Sequence, residues 1–145
     1  MNIGDIAPQW SGLDQDAQPL SSEMYKGKWL LLYFYPMDDT PGCTIEACGF
    51  RDSYASLSTR IAIVGVSADD SASHRKFADK FQLPFSLLAD TSKKAISAYG
   101  ANGLLFPKRV TFLIDPNNVI RKIYQGFDAT YHAAEVAKDL DALGV

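Results

Sequence analysis

The chain has 145 residues, 47% of them hydrophobic, with 14 basic and 17 acidic side chains and a formal net charge of −3. That is enough apolar material for a real core, and it predicts one domain over residues 1–145. The mild acidity and the scattered basic residues speak against nucleic acid as a partner, and no apolar run is long enough to span a membrane.

The N-terminal stretch MNIGDIAPQW lacks the basic-then-apolar pattern of a secretory signal, so a cytoplasmic location is expected. Residues 29–35, WLLLYFY, form a continuous apolar run between Gly27 and Pro36 and read as a strand buried on both faces. Residues 44–57 place Phe50, Tyr54 and Leu57 at helical spacing, and 61–67, IAIVGVS, read as a second buried strand. Strand, helix and strand over this length make a βαβ unit with parallel pairing and a right-handed crossover. A helix follows over 71–81 with Phe77 and Phe81 on one side, then a short strand at 85–90 and a short helix at 92–100 closed by Gly100. Residues 109–126 read as a hairpin around DPNN, with Pro116 at the turn's second position. A last amphipathic helix spans 130–144, capped by Thr130 and burying Val136, Leu140 and Leu143. The sum is an α/β fold with a mixed central sheet flanked by helices.

The two cysteines, Cys43 and Cys48, lie where the first strand gives way to a helix. In a domain of this size, without a secretory signal, such a pair points to catalysis, redox sensing or metal binding rather than to a structural disulfide. Zinc would need two further ligands, and the only histidines, His74 and His132, stand isolated on helix faces and read as surface or internally satisfied residues. No metal is expected. Cys43 falls in the first helical turn, where free N–H groups and the helix dipole favour a thiolate. Ionisation is not a sufficient mechanism. Bringing any thiol from a pKa of about 8.5 to about 6 raises its thiolate fraction at pH 7 only ~30-fold, against the ~10⁶ typical of enzymes. Donors that stabilise a transition state are needed as well. Five helical residues separate Cα atoms by about 8.6 Å, beyond the ~7 Å limit for a disulfide. Cys43 and Cys48 therefore either never bond, or the helix unwinds when they do. Cys48, next to Gly49 and Phe50, is equally compatible with a small buried hydrophobe.

The segment YPMDDTPGCTIEACGFRD resembles the active-site segment of peroxiredoxins, in particular the Q-type or bacterioferritin comigratory group. The pattern P-x-x-x-T-x-x-C is met by Pro36, Thr40 and Cys43, and the five-residue offset to a second cysteine by Cys48. GDIAPQW is similar to the family's N-terminal motif with Trp10 in place of Phe, and PFSLLAD and RVTFLID resemble later strands, so the likeness covers essentially the whole chain.

That resemblance implies a thioredoxin-like fold with an N-terminal extension, no cofactor, and thiol-dependent reduction of hydrogen peroxide or organic hydroperoxides in antioxidant defence. It implies that Cys43 attacks the peroxide and becomes a sulfenic acid. Cys48 would then resolve that acid to an intramolecular disulfide, recycled by thioredoxin or a similar dithiol. This is the atypical 2-Cys scheme. It further implies that Arg109 stands over the thiolate, that Glu46 orients Arg109, that Thr40 contacts the peroxide and that Pro36 shields the site. No third cysteine follows in a C-terminal arm, so a monomer is the simplest expected state. Two other readings remain open from the residues themselves: a dithiol–disulfide oxidoreductase, against which C-x-x-x-x-C spacing argues, and a non-enzymatic redox sensor.

Overall fold

The computed structural model describes residues 1–145. Its strands are β1 (Ser11–Leu13), β2 (Pro19–Ser21), β3 (Leu30–Phe34), β4 (Ala62–Ser67), β5 (Ser86–Ala89), β6 (Val110–Ile114) and β7 (Ile120–Tyr124). They form one mixed sheet in the order β2-β1-β5-β4-β3-β6-β7. The βαβ reading is correct: β3 and β4 pair in parallel, with Leu32 opposite Val64. On its other side β3 pairs antiparallel with β6, Leu32 facing Phe112. The hairpin of β6 and β7 turns through Asp115–Asn118, where the Asn118 N–H donates to Asp115 O at 2.9 Å. Pro116 takes the second turn position as expected.

Helices α1 (Pro41–Asp52), α2 (Tyr54–Leu57), α3 (Ser71–Phe81), α4 (Lys94–Ala98) and α5 (His132–Ala142) cover the sheet. Alternation along β3 divides the core in two. Leu31, Tyr33 and Tyr35 face Phe50, Leu57, Phe77, Val136 and Leu140, while Leu30, Leu32 and Phe34 face Trp10, Ile96 and Tyr99 on the opposite side. Gly65 on β4 makes the first arrangement possible, because a Cβ there would stand 2.7 Å from Tyr33 Cζ.

Three details depart from the sequence reading. The helix expected over 44–57 starts earlier, at Pro41, and breaks at Ser53 into α1 and α2. Proline is preorganised for a first helical position, which explains the earlier start. Thr130 does not cap α5. Its N–H donates instead to Asp128 Oδ1 at 2.9 Å, the 128–131 segment forms a turn, and the helix begins at His132. The β1–β2 hairpin was not foreseen, since three-residue strands carry too little alternation to be read. It joins the sheet through Leu13 opposite Ala89 of β5.

Candidate active site

Chain order and sheet order together bring Cys43 and Arg109 to one place. β3 ends at Phe34, a short loop leads to α1, and Cys43 lies in the first turn of that helix. Residue 109 immediately precedes β6, the antiparallel neighbour whose Val110 pairs with Phe34. The guanidinium then bridges two groups on α1. Nη2 donates to Cys43 Sγ at 3.1 Å, and Nη1 donates to Glu46 Oε1 at 2.7 Å. Helical geometry accounts for the pairing, since residues three apart share a face. Gly42 leaves the guanidinium room, as a Cβ there would stand 3.1 Å from Nη2.

Burial sets the electrostatics. The Cys43 side chain lies within the core, 1% exposed, beside Tyr33, Tyr35 and Phe50. The Glu46 side chain is fully buried and its Oε2 has no hydrogen-bond partner. Desolvation pushes the Glu46 carboxyl up to about 7, against the opposing pull of Arg109. The Arg109 guanidinium is itself held above its ordinary value by Glu46 and Cys43, which outweigh its own desolvation. A fixed cation therefore faces a buried sulfur from one side, the kind of donor that ionisation of a thiol alone could not supply.

The remaining expected residues are nearby but bonded differently. Thr40 is the N-cap of α1; its carbonyl accepts from the Thr44 N–H at 2.8 Å, while its hydroxyl donates to Met37 O at 2.9 Å. That leaves the hydroxyl's lone pairs free to accept. Pro36 is half-buried at the mouth of the loop. Cys48 sits further along α1, half-buried, and burial pushes its thiol up. Both cysteines are free thiols within one continuous helix, the geometry in which they cannot bond.

Of the two readings for the histidines the internally satisfied one holds: His74 and His132 are both buried and hydrogen-bonded. Their positions carried a signal, because His74 precedes Phe77 and Phe81 at helical spacing and His132 precedes Val136 and Leu140 likewise. Asp38, Asp69 and His74 bring three potential ligand atoms within 4.8 Å of one another. Each is already committed to hydrogen bonds with protein groups, which argues against a metal there.

Comparison with known proteins gives the family and the fold. The AhpC/TSA family model matches residues 3–123. Peroxiredoxin Q, chloroplastic, from Arabidopsis thaliana is 45% identical, over 98% of this chain and 68% of its own length. The protein of that name from Oryza sativa subsp. japonica is 41% identical, over 97% and 67%. Among solved structures, peroxidoxin BcpB from Mycobacterium tuberculosis superposes with a TM-score of 0.91 at 32% identity, over 98% of this chain and 97% of that one. A PrxQ variant from Xylella fastidiosa gives 0.93 at 28% identity, over 100% and 98%. The bacterioferritin comigratory protein of Xanthomonas campestris, solved for its alkyl peroxide reduction activity, gives 0.88 at 26%, over 94% and 92%. The fold is thus the thioredoxin-like fold expected.

One expectation is corrected. A cytoplasmic location does not stand, because the plant relatives are chloroplastic proteins. Compartment is set by targeting segments that receptors read, and the composition of a folded domain carries no such address. Family match, shared fold and the Cys43–Arg109 contact converge: the chain belongs to the AhpC/TSA family, as a thiol peroxidase of the peroxiredoxin Q type.

Proposed function

We propose that this chain works as a single peroxidase domain over residues 1–145, by the atypical 2-Cys scheme, with thioredoxin or a similar dithiol as reductant. The Cys43 thiolate attacks one oxygen of the hydroperoxide, the O–O bond breaks, and the second oxygen leaves as water or an alcohol after taking a proton. Cys43 is then a sulfenic acid. The Cys48 thiol attacks that sulfur, water departs, and a Cys43–Cys48 disulfide remains for the external dithiol to reduce. Arg109 holds the sulfur and the peroxide oxygens as charge moves, Glu46 orients Arg109, Thr40 accepts from the peroxide, and Pro36 shields the site.

The observation that carries this reading is the Arg109 bridge, at 3.1 Å to Cys43 Sγ and 2.7 Å to Glu46 Oε1. A half-buried cation held on a buried thiol by a buried acid has no structural necessity, since an apolar group would fill the site more cheaply. Resolution demands that the start of α1 unwind, so oxidation is coupled to a local conformational change. Partners follow from the chemistry: a hydroperoxide and a dithiol, with no nucleic acid or membrane surface required, and a monomer as the working unit.

The test is intact mass after reduction, desalting and one equivalent of hydrogen peroxide, quenched within seconds. A loss of about two mass units, absent in Cys43→Ser and Cys48→Ser, is expected for a disulfide within one chain. Gain of one oxygen without a disulfide would remove Cys48 from the scheme. Peroxide consumption by Cys43→Ser would overturn the site altogether.

A further inference from the structure

The loop between β3 and α1 is held by buried polar side chains that the chemistry above does not use. His74, in the first turn of α3, is wholly buried. Its Nε2 stands 2.9 Å from Leu88 O, and its Nδ1 stands 2.7 Å from Asp38 Oδ2. A backbone carbonyl only accepts, so Nε2 carries a hydrogen. Asp38 also accepts from Tyr35 Oη on Oδ1 at 2.6 Å and from Ser73 Oγ on Oδ2 at 2.7 Å. Three groups thus converge on one buried carboxyl, and both ring nitrogens of His74 are engaged.

The same aspartate ties the loop to the rest of the sheet. The Asp38 N–H donates to Asp69 Oδ2 at 2.9 Å, and Ser67 Oγ donates to the same oxygen at 2.6 Å. One residue thus joins the loop to the end of β4, the start of α3 and, through His74, to β5. The other charged groups around it point elsewhere. Asp70 caps α3 through the Ser73 N–H, Lys76 is exposed, and Lys80 pairs with Asp39 at 2.8 Å. Asp39 has φ of +56°, a left-handed conformation that aspartate tolerates at turns.

We infer that His74 is a positioning residue for the peroxidase reaction: a buried ring that, through Asp38, fixes loop 36–40 so that Pro36 and Thr40 stand correctly against Cys43. The inference rests on the roles given to those three residues under the proposed function. His74 touches no reacting atom. It acts by removing the loop's freedom, and misplacement of a positioning group by about 1 Å is enough to cost up to ~10²-fold in rate.

The experiment compares two reactions of Cys43 in His74→Gln. Oxidation by hydrogen peroxide needs the loop; alkylation by iodoacetamide needs only the thiolate. The expected result is a peroxide rate constant reduced roughly tenfold, with alkylation within about twofold of wild type. An undiminished peroxide rate overturns the inference, and so does a parallel fall in both reactions, which marks general loosening. Should His74→Gln fail to fold, Tyr35→Phe removes one donor to Asp38 while keeping the ring, and a folded variant without selective loss overturns the inference equally. Cys43→Ser, run alongside, separates the two levels: its retained activity would sink the peroxidase site itself rather than the role of His74.

Discussion

Replacing Glu46 by glutamine tests the electrostatics of the site without disturbing its shape. Glutamine keeps an oxygen to accept from Arg109 Nη1 and puts a donor where Glu46 Oε2 stands without a partner. The protonated acid does the same, so Glu46→Gln mimics the wild type at low pH. The two diverge as Glu46 ionises. In the unfolded chain its carboxyl titrates at 4.5, and in the folded protein burial holds it up to about 7. Between those values the folded state binds more protons than the unfolded one, so stability falls as pH rises. The full span is about 2.5 pH units, or about 3 kcal/mol, of which roughly 2.5 kcal/mol is lost between pH 5 and pH 8. Urea unfolding of both reduced proteins across that range reads the effect, and other titrating groups cancel to first order in the difference. Glu46→Gln is expected to match wild type near pH 5 within about 1 kcal/mol and to exceed it by about 3 kcal/mol at pH 8. A difference that stays constant from pH 5 to pH 8 would refute the argument that desolvation dominates at Glu46.

Two further perturbations probe the same site. Arg109→Ala removes the donor to Cys43 Sγ, and stopped-flow oxidation by hydrogen peroxide is expected to slow by ~10²–10³ while circular dichroism stays unchanged; a wild-type rate would remove Arg109 from the mechanism. Disulfide formation is expected to abolish amide-exchange protection over residues 43–48, because Cys43 and Cys48 lie in one continuous helix when reduced. Unchanged protection in the oxidised protein would contradict the unwinding step.

Much of this architecture was legible because its signals are dense. The run from Leu30 to Phe34 announces a doubly buried strand, and α3 was bounded correctly with Phe77 and Phe81 at helical spacing. Of the candidate site, Cys43 was legible from its place in the first helical turn, whereas Glu46 and Thr40 entered only through the likeness to a family. Arg109 is 63 residues from Glu46 along the chain, and no local rule connects them; only the likeness to a family did. The Asp38–His74 pair was missed because it depends on three separate junctions meeting, and a histidine on an apolar stripe looks like any other buried side chain until its partners are seen. The Thr40 hydroxyl shows the opposite limit, since its bond to Met37 O is set by the loop's turn and not by residue type.

The two ends of the sheet bear on how this protein meets its own copies. β2 is only three residues long and opens with Pro19, which has no N–H to offer a further strand. At the other end β7 carries Arg121 and Lys122, charges that resist the approach of a like edge. Neither border is a template on which a second sheet could grow. The unwinding proposed for α1 would expose core side chains at just the moment when aggregation is most dangerous, and blunted borders deny such transient species the simplest route to fibres.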